Sequence, residues 1–151
     1  MSTIIFICTG NTCRSPMAAA LATALFKQQK LDITVLSAGV AAGDGYPASK
    51  NAILAMEDEG IDLQPHVSTQ LSHEILANVR LILTMTAAHL DFVKSIHPTA
   101  NAYTLGEYAN SNTDVSDPYG GDLSTYRACA AQINALLAAS VAKLKEELCK
   151  A

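Results

Sequence analysis

Nowhere in these 151 residues is there an apolar run long enough to cross a bilayer, although half of the side chains are apolar. The N-terminus also lacks the basic flank of a secretory signal. Both absences predict a soluble chain in the cytoplasm with no membrane partner. Basic residues are in deficit, 10 against 14 acidic ones for a net charge of -4, and they are scattered instead of forming a stripe. That argues against a nucleic-acid partner. Internal repeats, low-complexity tracts and interdomain linkers are absent as well. The length suits one domain, 1–151, with a real core, and is too short for two.

Cysteine is scarce. Cys8, Cys13, Cys129 and Cys149 show neither the paired two-residue spacing of a zinc site nor the density of a disulfide scaffold. No metal or other cofactor is expected, and a reduced setting fits. Tyr126, Cys129, Ile133 and Leu137 recur at steps of three and four, which predicts that Cys129 is a buried residue on an apolar helix stripe. Cys149, among Lys and Glu near the end, is assigned no role.

What is present is an alternation of strand and helix patterns. A β-branched strand, Ile4 to Cys8, leads to "MAAALATALFKQQ", rich in helix formers, and then to the strand "DITVLSAGV" ending at Gly39. After the loop "AAGDGYP", "ASKNAILAMEDEG" reads as a helix stopped by Gly60, "SHEIL" as a short helix and "RLILTMT" as a buried strand. "AAHLDFVKSI" is another helix, and "NAYTL" a short edge strand. The polar loop "YANSNTDVSDPYGG" precedes a final amphipathic helix from about Leu123 to Leu148. The expected fold is α/β: a parallel sheet of about four strands, helices on both faces, right-handed crossovers, and ligands bound beyond the carboxyl ends of the strands.

At that end of the first strand lies "IIFICTGNTCRSP", residues 4 to 16. Ser15 can cap a helix and Pro16 suits its first turn, so this loop opens a helix whose amides attract an anion such as phosphate. Arg14 offers a planar fork to two phosphoryl oxygens. The helix terminus and the arginine both favour a thiolate at Cys8, a nucleophile at neutral pH. Gly10 allows a sharp turn or a close backbone approach, and Asn11 tolerates left-handed geometry. A cysteine and an arginine six positions apart mean little alone. Joined to Gly10, Asn11, Ser15 and Pro16 in a strand–loop–helix setting, the combination is specific.

"CTGNTCRSP", with "SAG" at 37 to 39 and "DPYGG" at 117 to 121, resembles the low-molecular-weight protein-tyrosine phosphatase family along the whole chain. The resemblance implies a four-stranded parallel sheet flanked by helices. It implies Cys8 as nucleophile, Arg14 as phosphate ligand and transition-state stabiliser, and Asp117 as general acid. It also implies a loop-supporting network of Asn11, Ser15, Ser37 and His66. Phosphate contacts are expected from Thr9, Gly10, Asn11, Thr12, Cys13 and Ser15, with Tyr119 flanking the substrate. Asp117 before Pro118 is also a plain turn starter, but a carboxyl on a polar loop can reach a leaving atom. Asp114 and Asp122 are expected in turns and caps; His73, His89 and His97 on the surface or at helix ends.

Phosphorylated proteins are the expected partners of a monomer. Tyrosine-directed members usually carry an aliphatic residue where this chain has Thr12, and in this respect it resembles the bacterial protein-arginine phosphatases. A hydroxyl there can orient the hydrolytic water beside a slim guanidinium; the alternative is that Thr12 only shapes the loop. "VAAGDGYP" shows alanines where a tyrosine pocket would want an aromatic wall. Phosphotyrosine remains the alternative substrate. An arsenate reductase needs resolving cysteines, and none lies between Cys13 and Cys129. A non-catalytic phosphate-binding or redox module would be expected to lose Cys8 or Asp117. Cys13, five residues after Cys8 in a curved loop, either forms a reversible disulfide with it or packs behind the loop.

Overall fold

The computed structural model describes residues 2–148. Four strands, β1 (Ser2–Cys8), β2 (Ile33–Gly39), β3 (Leu81–Thr84) and β4 (Ala102–Thr104), form one sheet in the order β2-β1-β3-β4. Every pairing is parallel, with Cys8 opposite Gly39 and Ile7 opposite Thr84. β1 starts at Ser2, before the expected Ile4, because Ser2 and Thr3 continue its register with Ile33 and Thr34. The chain crosses from β1 outward to β2 and then returns to the other side of β1. In such sheets the crevice at that reversal, beyond the strands' carboxyl ends, is the natural ligand site.

Helices cover both faces: α1 (Arg14–Gln28), α2 (Lys50–Glu57), α3 (His73–Leu76), α4 (Ala87–Ile96), α5 (Leu105–Tyr108) and α6 (Leu123–Leu148). Alternation along β1 sorts the core. Ile4, Phe6 and Cys8 join the cluster made with α1, α2, α5 and α6, whereas Ile5 and Ile7 join the one made with α3 and α4. Since both faces are covered, β1 from Ile4 to Cys8 is buried without interruption, as parallel strands require. The α6 stripe of Tyr126, Cys129, Ile133 and Leu137 is buried as expected, while Cys149 lies outside the described residues.

Three further features differ from the sequence pattern. α1 starts at Arg14, and its N-cap is Cys13 with no side-chain cap bond, so Ser15 is inside the helix and is not its cap. α2 ends at Glu57; Gly60, at φ 72, closes the following turn through Gly60 N to Glu57 O. α5 is an unexpected helix of four residues within what reads as strand and loop. A capping box holds it, with Thr104 Oγ1 accepting from Glu107 N and Glu107 Oε1 accepting from Thr104 N.

α5 is the seat of the 109–122 loop. A Cβ at Gly106 would run into the carbonyl oxygens of Thr113 and Ser111, so only glycine lets that loop lie against the helix. Gly106→Ala is expected to lower stability by about 1–3 kcal/mol, the usual range for overpacking. Denaturant unfolding measures this, and an unchanged midpoint would disprove the close approach.

Candidate active site

Between the end of β1 and the start of α1 the chain makes a tight loop, four of whose carbonyls find partners outside it. Cys8 O and Thr9 O accept from Val40 N and Ala41 N, Thr12 O accepts from Ser49 N, and Asn11 O accepts from His66 Nε2 at 2.7 Å. In a planar trans peptide the N–H points opposite to the carbonyl. Those bonds therefore turn the following amides, Thr9, Gly10, Thr12 and Cys13, inward. The absent side-chain cap on α1 has the same meaning: its first N–H groups are left for a guest, and a guest there is an anion.

Asn11 is fully buried at φ 54 and supplies the left-handed residue of the loop. Its Nδ2 donates to Ser15 Oγ at 2.7 Å and Ser37 Oγ at 3.0 Å, and its Oδ1 accepts from Thr69 N at 2.9 Å. Asn11, Ser15, Ser37 and His66 are thus brought together around the loop. Having accepted from Asn11, Ser15 Oγ lies 2.8 Å from Cys8 Sγ and 3.5 Å from Ala38 O, so its hydroxyl hydrogen is within reach of the sulfur and can be given to a thiolate there. Ser15 failed as a helix cap because its oxygen is engaged here.

Gly10 has no positive φ, and a Cβ there would meet only Thr12 Oγ1 at 3.7 Å, so the sharp turn expected of Gly10 falls on Asn11. The glycine that close packing demands is Gly39. A Cβ on it would run into Thr9 O and Asn11 N. Sequence reasoning noted Gly39 only as a strand end and part of "SAG".

Arg14 is buried. Its Nη1 donates to Val115 O at 3.1 Å and its Nη2 lies 3.6 Å from Asp117 Oδ2. Asp117 and Tyr119 are exposed on the loop before α6, with Tyr119 N donating to Asp117 Oδ1. The loop is also gripped from α6, where Gln132 accepts from Ser116 N and donates to Asp114 O. Asp114 additionally accepts from Ala87 N at the start of α4, and Asp122 caps α6 by accepting from Thr125, which lowers its pKa. Those are the turn and cap roles expected of both.

These groups enclose a cavity of about 240 Å³. Cys8, Thr9, Gly10, Thr12, Cys13 and Arg14 line it from the loop, and Asp117 and Tyr119 from the opposite side. The 40–47 segment contributes no lining residue, so its alanines are not the pocket wall that the sequence reading made them; Tyr119 is the aromatic side. Cys13 Sγ rests against Tyr126 OH at 3.2 Å and Ser49 Oγ at 3.5 Å. Burial pushes Tyr126 up to about 12 and Cys129 up to about 12, so both stay protonated near the site. Among the described residues no group of three His, Cys, Asp or Glu is placed to hold a metal, and no helix is long and apolar enough to cross a membrane.

His89 is the main correction. Expected at the surface or a helix end, it is buried, with Nε2 2.8 Å from Thr9 Oγ1 and Nδ1 3.0 Å from Thr86 Oγ1. The signal was available: Thr86 caps α4 with His89 three residues on, just past β3 at the sheet's ligand-binding end. Burial and then the charge of Arg14 lower its pKa to about 4, against the weaker pull of Asp114 and Asp117. His73 is exposed, and His97 ends α4, as expected.

A thiol on the floor of an anion cradle, a buried arginine and a carboxyl facing them define a cysteine-dependent phosphatase. The chain belongs to the low molecular weight phosphotyrosine protein phosphatase family, whose profile matches residues 3–150. It is 38% identical over 147 residues to a protein-arginine-phosphatase of Geobacillus stearothermophilus, covering 95% of this chain and 97% of that one. A solved YwlE arginine phosphatase, a cysteine-to-serine mutant with a phosphorylated active site serine, superposes with TM-score 0.92 at 36% identity, covering 97% of each chain. A low molecular weight protein tyrosine phosphatase from T. tengcongensis gives TM-score 0.91 at 36% identity, over 95% of this chain and 100% of that one.

The lowered pKa of His89 fixes a sign. Below the ordinary value of 6.5 the unfolded chain takes up a proton that the folded chain refuses until about 4. Its contribution to stability is therefore complete above pH 6.5 and is lost as pH falls towards 4, at no more than about 1.4 kcal/mol per pH unit. Unfolding free energies measured from pH 7 to 4 should decline less steeply in His89→Gln than in the wild type. Parallel curves would contradict a buried neutral imidazole.

Proposed function

We propose that this protein is a phosphatase acting through a cysteinyl phosphate, and that its substrate is phosphoarginine in proteins. The observation that carries the chemistry is the 2.8 Å contact of Cys8 Sγ with Ser15 Oγ on the floor of a cavity that Arg14 and Asp117 also line. The Cys8 thiolate attacks phosphorus in line with the departing group while Arg14 and the loop amides hold the equatorial oxygens. As the bond to the leaving nitrogen or oxygen breaks, Asp117 supplies the proton that atom needs. Water then attacks phosphorus as the S–P bond breaks, Asp117 accepts its proton, and free phosphate leaves with Cys8 restored as the thiolate. The related arginine phosphatase with a phosphorylated active site serine supports such a covalent intermediate.

Thr12 supports the guanidine substrate. It lines the cavity, and its hydroxyl has one weak protein contact, Cys13 Sγ at 3.7 Å, which leaves it available to the hydrolytic water. The relative named protein-arginine-phosphatase supports the same reading. Phosphotyrosine is the second reading, favoured by the exposed Tyr119 ring at the mouth and by the tyrosine phosphatases among the relatives. A monomer in the reducing cytoplasm completes the reading, with Cys8, Cys13 and Cys129 as free thiols.

Cys8→Ser should abolish turnover yet still bind phosphate competitively, and Arg14→Lys should be severely impaired because a point charge lacks the two-pronged grip. kcat/KM on phosphoarginine proteins should exceed that on phosphotyrosine, with Thr12→Ile shifting the preference to phosphotyrosine. A wild-type preference for phosphotyrosine would sink the arginine assignment and leave the chemistry standing; near-normal hydrolysis by Cys8→Ser would sink the chemistry.

Cys13 shares the cavity with Cys8 and we assign the pair a redox role. One equivalent of peroxide oxidises the two thiols to a disulfide with release of water, halting turnover until a thiol reduces it. Peptide mapping after mild peroxide should find the linked pair; sulfinate at Cys8 without it would leave Cys13 as a packing residue behind the loop.

A further inference from the structure

His89 is a buried group beside the cavity that the chemistry above leaves unused. We propose that it is a positioning residue that turns the Thr9 hydroxyl into a fixed hydrogen-bond donor for the phosphoryl group. The inference rests on the phosphatase reading and adds a ligand contact to it.

Thr86 Oγ1 accepts from His89 N at 3.3 Å as the cap of α4, and its other contact is His89 Nδ1 at 3.0 Å. A hydroxyl has one hydrogen and two lone pairs. If Nδ1 carried the ring hydrogen, Thr86 would accept twice and its own hydrogen would be left over. If Thr86 donates to Nδ1, every group is satisfied and the ring hydrogen sits on Nε2. That nitrogen is 2.8 Å from Thr9 Oγ1, so Thr9 accepts from it and its own hydrogen is free. Thr9 follows the nucleophile directly, is exposed, and lines the cavity. Its hydrogen is then best placed on an oxygen of a bound phosphoryl group, beside the amides that already face the cavity. The low pKa of His89 keeps the ring neutral, so one nitrogen remains an acceptor for Thr86.

Four single variants and one double variant test this, with inorganic phosphate as the probe, read as its inhibition constant against aryl phosphate hydrolysis. Thr9→Val and His89→Leu should each weaken phosphate binding about tenfold, as loss of a hydrogen bond to a charged group does. Thr9→Ser should keep wild-type affinity, and His89→Gln should keep most of it, because its amide can donate from near the position of Nε2. The double variant Thr9→Val/His89→Leu should bind no more weakly than Thr9→Val alone. Equal losses from His89→Leu in the Thr9 and Thr9→Val proteins would make His89 a packing residue and overturn the proposal. Unchanged phosphate affinity in Thr9→Val would overturn it too, whether or not His89→Leu folds. A wild type that neither hydrolyses aryl phosphate nor binds phosphate would instead overturn the phosphatase reading on which the inference stands.

Discussion

One buried amide side chain holds the site in shape. Asn11 has two N–H groups and one oxygen on its side chain, and it spends them on Ser15, Ser37 and Thr69, while His66 takes its carbonyl. These partners belong to α1, β2 and the 66–69 segment, three separate stretches of chain. Its positive φ is maintained because each of these bonds would be lost on relaxation. With the loop so fixed, its amides are oriented before any ligand arrives, and no reorganisation is needed when charge develops on the phosphoryl oxygens.

Charge at the site is confined to few groups by burial. Cys129 and Tyr126 remain neutral and His89 stays uncharged, so the groups facing the cavity with chemistry to perform are Cys8, Arg14 and Asp117. The guanidinium of Arg14 is aimed by its bond to Val115 O, which ties the cradle to the 109–122 loop. That loop is seated on α5 and held by Gln132, so the distance from Asp117 to Arg14 is set by elements far apart in sequence.

Much of this could be read from local pattern. The unbroken apolar run of β1 and the stripe on α6 report the character of their own element, which is a property of neighbouring residues. The phosphate loop was legible for the same reason: Cys8, Arg14 and Asn11 lie within one turn of chain, and the geometry each favours is local. What was misread needed a partner from elsewhere. Ser15 has the composition of a cap, yet its oxygen is claimed by Asn11, which Ser37 and Thr69 hold in place from β2 and the 66–69 segment. Gly39 looks like any strand end until the loop above it leaves no room for a Cβ. The alanines after Gly39 were given a wall that the fold does not build from them.

Local pattern was enough for the order of the four strands and of every helix but α5, for the covered faces of the sheet, and for the cradle of Cys8, Asn11 and Arg14. Hydrophobic period and short-range backbone preference act through neighbours along the chain. It took the packed fold to bring His89 to Thr9, to hold the loop carrying Asp117 with Gln132 and Gly106, and to rest Cys13 against Tyr126. The partners in those contacts are separated by long stretches of sequence except Gly106 and the loop it seats. Whether such groups meet depends on how the packed elements bring them within the few ångströms over which a hydrogen bond acts.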